Sequence, residues 1–392
     1  MARRLLFLSS HRRHKKVADR LLGALAANRK IDLFSFDRGS VDHSVYSDPN
    51  ITHISLGPMP DGISASRLIS LARATWILCR ATRRIKDTDT IVLVNTLELL
   101  LVLWVCRLTR LPTVYDVADI HVLLIADSFL GRCARWIERM ALKRVRLLVV
   151  SSPWFYWEYF RHWLKVPNSA VLIENKVGFS PVSQEIRRIL SNRIAWNGLL
   201  RCQVSAAVLL ECLTKSPESL HLSLHGSLNR LGEFGPKLLA QPNCSYTGQY
   251  DPESLGSLLS TASFDWGVDY ADGKNSQWLL PNRLYEAIAA GIPLIAVAGT
   301  ATGDVVRRYN IGVVLPECTP QAVIHALEDC HPETYELWLK NMDALKSSAL
   351  RGNEWTLVCD DVRRWSDLKP LPTTVDVGVV LHPDALTLDG RP

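Results

Sequence analysis

The stretch FDWGVDYADGKNSQWLLPNRLYEAIAAGIPLIAVAGTATG, residues 264–303, decides how the chain reads. An apolar strand, FDWGVDY, runs into a polar loop containing Gly273, and Pro281-Asn282 then opens a helical pattern that stops at Gly291, with Pro293 just beyond. Asn282 suits an N-cap and Gly291 a C-terminal stop. The next run, LIAVAG, is again a strand, so the segment is one β-α-β unit. A helix that opens at the carboxyl end of a strand points its unbonded N–H groups and its positive dipole end at whatever lies there, which favours a diphosphate. Glu286 follows about one turn in, where a carboxylate can accept hydrogen bonds from ribose hydroxyls.

Working outward, the same rhythm of short apolar runs and longer helical patterns fills the chain. Strands are expected at 5–10, 31–36, 51–56, 90–95, 113–119, 146–152 and 170–175, with helices near 15–28, 65–85, 97–109, 128–142 and 154–162 between them. A second series follows, with strands at 194–198, 220–226, 244–249, 264–270 and 294–299 and helices at 203–214, 230–239, 252–260 and from Arg283. The expected class is α/β, with two Rossmann-like, doubly wound parallel sheets facing a central cleft. At 392 residues the chain suits two domains of roughly 150 to 200 residues each. The polar stretch 176–192 is the expected boundary, giving domains at 1–176 and 177–350, then a C-terminal helix at 354–368 and a loosely ordered tail within 351–392.

Composition narrows the class. With 47% hydrophobic and 21% charged residues the chain is an ordinary globular one. Nine cysteines without a CxxC spacing argue against a zinc site or a disulfide framework. The longest apolar run, Leu99 to Cys106, is eight residues, against the ~20 needed to cross a bilayer. The first run, Leu5 to Leu8, is too short for a signal peptide, so the cytoplasm is the expected location. The net charge of +6 is concentrated early: the first thirty residues hold nine basic residues and one Asp, and residues 67–86 add six more basic ones. Residues 67–86 interleave arginines with Leu68, Ile69, Trp76 and Ile77, which suits either an anionic membrane surface or a core-facing helix with a solvated basic back. No RNP, helix-turn-helix or zinc-finger pattern accompanies the charge, so nucleic acid is not expected as a partner.

Five blocks carry a resemblance. YDVADIH (115–121), VVSSPWF (149–155), IENKV (173–177), WNGLLRC (196–202) and DYADGKNSQWLLPNRLYE (269–286) fall in register, and the chain resembles GT-B glycosyltransferases of family 4, in a bacterial exopolysaccharide branch. The resemblance implies retaining transfer of a sugar from a nucleoside diphosphate sugar to a glycan or lipid-linked saccharide, without metal or cofactor, at the inner face of the plasma membrane. It implies donor contacts from Gly198, Arg201 and Glu286, with Glu286 on the ribose and Arg201 as a diphosphate clamp, and Asn275, Ser276, Leu279, Leu280, Asn282 and Arg283 are expected to complete the donor site. Backbone N–H groups of residues 278–280 are expected to join Asn275 and Ser276 on the sugar. Asp119 matches the acid of the family's His-Asp pair, or else caps the next turn, and His121 supplies an imidazole nearby. Two departures stand out: Trp278 replaces the first Glu of the family's E-x7-E pattern, and Ala118 replaces the His before Asp119. The basic run after the first strand, His11, Arg12, Arg13 and Lys15, is expected either to bind the acceptor's pyrophosphate or to form a solvated loop. Competing readings are a sugar-nucleotide epimerase or hydrolase on the same fold, and a non-catalytic nucleotide-sugar-binding partner of a polysaccharide assembly complex.

Overall fold

The computed structural model describes residues 3–11, 15–38, 44–60, 64–83, 90–166, 168–178, 191–216, 218, 220–360 and 380–381. Two compact units result, one built on the chain up to Ile173 plus a return beginning at Gly352, the other on Glu174–Arg351 plus the segment around Val380 and Leu381.

The first unit is a seven-stranded sheet. Its strands are β1 (Arg4–Ser9), β2 (Lys30–Phe36), β3 (Ile51–Gly57), β4 (Thr90–Val94), β5 (Thr113–Val117), β6 (Leu147–Val150) and β7 (Ser169–Leu172), in the order β3-β2-β1-β4-β5-β6-β7. Every neighbouring pair is parallel. The near-continuous apolar runs have that cause, since helices cover both faces of a parallel sheet and all residues of β4, β5 and β6 are buried. Helix Lys15–Ala26 shares a core with Leu5, Phe7, Ile91, Leu93 and Val149 on one face. Right-handed crossovers put the helices of the β3-β4, β4-β5 and β5-β6 connections on the other face. These are Ala65–Thr82, Leu97–Val105 and Phe129–Leu142.

Helix Glu354–Asp360 returns to this unit and packs on Lys15–Ala26, so it is not a separate appendage. The two helices touch where a side chain is missing: a Cβ on Gly23 would lie 2.4 Å from Trp355 Cβ. Trp355 also stacks on the Arg20 guanidinium at 4.6 Å, and Arg20 donates to Asp116 at 2.8 and 3.1 Å. Arg29 donates to the carbonyls of Cys359 and Asp360, satisfying the helix's negative end. Residues 361–368 of the expected helix lie outside the described residues.

The second unit holds six parallel strands: β8 (Arg193–Leu199), β9 (His221–Ser227), β10 (Cys244–Tyr246), β11 (Phe264–Trp266), β12 (Leu294–Val297) and β13 (Gly312–Leu315), in the order β10-β9-β8-β11-β12-β13. Its core joins Trp196, Leu222, Leu224, Phe264 and Trp266 to Tyr335 and Trp338. Phe264, Tyr335 and Trp338 meet edge to face at 5.6 to 6.4 Å. β13 and the helices Ala301–Tyr309, Pro320–Glu328 and Pro332–Ala349 go beyond the expected pattern. Their starts were legible: Thr300 and Thr319 cap the first two by accepting from the N–H groups of Gly303 and Ala322.

The helix of residues 282–290 corrects one expectation. Pro281, not Asn282, is the extended cap residue, at φ −73° and ψ 156°, and Asn282 is the first helical residue. The ring of Pro281 fixes φ and lacks an N–H, which places it comfortably at the entry and moves Asn282 inside. No side chain caps this end. Gly291 ends the helix in the left-handed conformation, as expected.

Candidate functional site

In an open parallel sheet, ligands bind outside the carboxyl ends of strands where the strand order reverses. In the second unit that point lies between β8 and β11, and the helix Asn282–Ala290 starts beside it. Arg283 ties the point together: Nε and Nη2 donate to Asn197 O at 3.0 and 2.6 Å, and Nη1 donates to Trp266 O at 3.0 Å. One guanidinium thus bridges the ends of both central strands. Its acceptors are neutral carbonyls, so its positive charge stays available to an anion at the strand ends.

One turn further in, Glu286 Oε2 accepts from Asn197 Nδ2 at 3.2 Å. The hydrogen bond fixes the carboxylate beside β8. At the end of β8, Gly198 has φ +92°, which lets the backbone turn there without strain. Across from it, Gly226 has φ +121°, and a Cβ on it would lie 1.9 Å from Gly198 O. Two strand ends are therefore packed backbone to backbone.

The neighbouring side chains were missed in the sequence. Asn197 is in register with His225, so both project from one face of the sheet, and Ala195, two residues before Asn197, is in register with Asp265. All three polar residues are buried. His225 Nδ1 is 2.9 Å from Thr247 Oγ1, and its buried Nε2 has no hydrogen-bond partner among the described residues. Burial pushes the His225 pKa down, so the ring is neutral around pH 7. Burial and the nearby Glu286 carboxylate push the Tyr250 hydroxyl well above its ordinary value. The signal was present in WNG, LHG and FDW, where a polar residue interrupts each apolar run at its carboxyl end.

The loop after β11 places the remaining donor candidates. Arg201 donates to Asp269 at 3.1 Å and reaches Asp272 at 2.6 Å. With two carboxylates on one guanidinium the local balance is negative, which does not suit the expected diphosphate clamp. Ser276 Oγ accepts from the Asp272 N–H at 3.1 Å, and buried Asn275 donates its own N–H to Asp272 O at 3.2 Å. Leu279 donates its N–H to Asn275 O at 2.9 Å, which takes up one of the backbone donors expected to meet sugar. Leu280 is fully buried and its carbonyl accepts from Asn175 at 2.9 Å. The helix itself is pinned from below by Tyr285, whose hydroxyl donates to buried Glu174 at 2.9 Å.

The first unit has its own switch point, between β1 and β4. Asn95, just after β4, donates to Ser9 Oγ at 3.1 Å and accepts from the Ser10 N–H at 3.1 Å. His11 Nδ1 is 2.9 Å from Ser10 Oγ. After β5, Asp119 has its side chain 57% exposed and lies 4.0 Å from Lys16 Nζ. It does not cap the next turn; His121 does, its Nδ1 accepting from the Leu123 N–H at 3.2 Å. Arg12 and Arg13 lie outside the described residues, as does the side chain of Lys15, which begins the helix Lys15–Ala26. All nine cysteines are free thiols. Among the described residues no cluster of three or more His, Cys, Asp or Glu could hold a metal ion, and no helix is long and apolar enough to cross a membrane.

No family model matches the chain. The chain is 31% identical over 351 residues to the succinoglycan biosynthesis protein ExoL of Rhizobium meliloti (strain 1021), covering 84% of this chain and 85% of that one. Among solved structures it is similar to a sucrose-phosphate synthase from Thermosynechococcus elongatus, with a TM-score of 0.68 at 17% identity over 92% of this chain and 98% of that chain. It is also similar to Anabaena HepE in complex with UDP and glucose, with a TM-score of 0.64 at 14% identity over 91% and 96%. A third is WaaG, a glycosyltransferase involved in lipopolysaccharide biosynthesis, with a TM-score of 0.60 at 14% identity over 88% and 95%. These structures share the GT-B fold, and the sequence relation sets the family: the chain belongs to the family of the succinoglycan biosynthesis protein ExoL.

Proposed function

We propose that the second unit binds a nucleoside diphosphate sugar at the β8-β11 switch point, and that the chain transfers the sugar, with retention, to a hydroxyl of a glycan or lipid-linked saccharide. The observation that carries this reading is Arg283, a guanidinium held by the carbonyls of Asn197 and Trp266 at the start of a nine-residue helix. The arrangement puts a fixed positive charge and the positive end of a helix dipole at one place before any ligand arrives. Such preorganised charge stabilises the departing diphosphate, on which negative charge develops as the glycosidic bond breaks. Glu286, steadied by Asn197, takes the ribose hydroxyls, and Gly198 lets the phosphates approach the backbone. HepE, which shares the fold, has been solved with UDP-glucose, in keeping with this kind of donor.

Arg201 has a changed role in this reading. It organises the Asp269–Asp272 loop that closes over the sugar, while Arg283 carries the phosphate charge. The acceptor approaches the first unit's switch point, where Ser10, His11, Lys16 and Asp119 offer hydroxyl, imidazole, ammonium and carboxylate groups within one turn of two strand ends. Asp119 orients the acceptor hydroxyl, and the leaving phosphate takes its proton.

A thermal-shift panel of UDP-, GDP-, dTDP- and CMP-sugars tests the donor half. One ligand at a hundred times its dissociation constant adds about 2.7 kcal/mol of stability. If none of the four raises the melting temperature, the donor reading is wrong. Release of free sugar that no saccharide acceptor diverts would favour the hydrolase reading instead.

A further inference from the structure

Helix Phe129–Leu142 is built inside out. Its buried side consists of Gly131, Glu138, Ala141 and Leu142, whereas Phe129, Leu130, Trp136, Ile137 and Met140 face solvent. Phe129 is 71% exposed and Trp136 65%. Positions 129, 133, 136, 137 and 140 recur at helical spacing, so the apolar residues form one stripe. The helix's one carboxylate, Glu138, points inward to the Tyr159 hydroxyl, so the outer stripe carries no acid. Exposed Arg132, Arg139 and Lys143 flank it instead.

Two neighbouring helices continue the pattern. Leu97–Val105 packs between Ala65–Thr82 and Phe129–Leu142. Its carboxyl end meets Ala65–Thr82 at Cys106, whose thiol donates to Thr75 O at 3.5 Å, and its other end meets it through Arg67 and Glu98 at 2.7 Å. The exposed Trp104 and Val105 therefore sit level with exposed Trp76. Arg80 stacks on Trp76 at 5.7 Å, and Arg107 and Arg110 follow exposed just beyond Val105. Ala65–Thr82 contains no acidic residue, and Glu98, the one acid of Leu97–Val105, is paired. The sequence pointed to residues 67–86 alone, but the structure adds two further helices to that surface.

We propose that the outer face of these three helices docks flat on an anionic lipid bilayer, with Trp76, Trp104, Phe129, Trp136 and Met140 entering the boundary between headgroups and acyl chains. Three observations favour a bilayer over a protein partner. The exposed charge on the three helices is basic apart from Glu98, which Arg67 pairs, and the one further acid, exposed Asp127, sits before the first turn of the last helix, so the balance of the face matches lipid phosphates. Each of the three helices contributes a tryptophan, a side chain whose apolar ring and N–H suit the interface. The face is a row of parallel ridges formed by helices lying side by side, and a plane covers such a surface better than a single inserted peptide does. The inference rests on the lipid-linked acceptor reading for its purpose, since docking would bring the acceptor to the first unit.

The test is co-sedimentation of the full chain with phosphatidylcholine vesicles, with and without phosphatidylglycerol, at low and moderate salt. The chain is expected to bind vesicles containing phosphatidylglycerol and to bind less as salt screens the arginines. Trp136→Asp with Met140→Asp, and separately Arg132→Glu with Arg139→Glu, should each weaken binding on the order of tenfold or more. Leu337→Asp, an exposed apolar position of the second unit, should change nothing. All variants replace exposed side chains, and each is to show an unchanged donor-induced thermal shift, so failure of docking is separable from failure of the donor reading. Three results would each overturn the proposal: no binding at low salt, binding indifferent to phosphatidylglycerol, or a lipid-free self-association that Trp136→Asp with Met140→Asp abolishes.

Discussion

The two switch points are built from the same strand order but closed by different chemistry. In the second unit the central strand ends are joined by a guanidinium and by glycine backbone, Arg283 on Asn197 and Trp266, and Gly226 against Gly198. In the first unit they are joined by neutral side chains, Asn95 on Ser9 and Ser10, with Asp119 and His121 exposed beyond. A fixed charge in a tight backbone frame receives an anion of invariant shape. Neutral, more open groups tolerate acceptors of varied shape. In the proposed function the demanding electrostatic step falls in the second unit and the adaptable recognition in the first.

Arg283→Ala should break this contrast most severely, lowering transfer or donor hydrolysis by roughly 10² to 10³. Arg283→Lys should restore little, because one ammonium cannot span both carbonyls as the planar fork does. Asp119→Asn should cost far less in donor hydrolysis than in transfer, which a paired assay with and without acceptor reads directly. Next, Gly226→Ala should destabilise the second unit by ~3 kcal/mol, from backbone strain and the collision with Gly198 O, as a drop in melting temperature.

The units should also answer pH in opposite directions. Burial raises Glu138 in the first unit from 4.5 to about 7, against the hydrogen bonds it accepts from Tyr159 and Tyr115. The folded state therefore holds the proton more tightly, and this stabilisation is complete below about 4.5 and lost as pH rises through about 7, a change of ~3 kcal/mol. In the second unit His225 is lowered from 6.5 by burial, so its contribution is present above 6.5 and is lost as pH falls through the depressed value. Hydrogen exchange on peptides of each unit should show Glu138→Gln flattening the first response and His225→Gln the second. The smallest effect should be His121→Ala, which removes a cap from a four-residue helix and costs ~1 kcal/mol or less in stability.

The fold was legible because its signal is local. Most strands of the two sheets are short apolar runs, and only β13, with the helix Ala301–Tyr309 before it and the two helices after it, escaped, because Gly312–Leu315 is half-buried at the sheet edge and short. The helix Asn282–Ala290 was legible for the same reason, since Pro281 and Gly291 mark both its ends. What could not be read was pairing across sequence distance. Arg201 looked like a phosphate ligand until Asp269 and Asp272, about seventy residues away, proved to hold it. Arg283 looked like one donor among several, and its grip on Asn197 O depends on strand order. The outward stripe of Phe129–Leu142 was hidden because periodicity gives a face without saying which side is in. Here the small residues and one paired acid face the core.

In the proposed function the second unit holds a preformed receptor for a nucleoside diphosphate, centred on Arg283. Calorimetric titration of UDP and GDP into the full chain, the Arg283→Ala variant and the Asp119→Ala variant measures this directly. At least one of the two nucleotides should bind the unaltered chain, weaken at least about tenfold with Arg283→Ala, and bind the Asp119→Ala variant as before. Equal affinity for the chain and its Arg283→Ala variant, or a loss confined to Asp119→Ala, would contradict this reading.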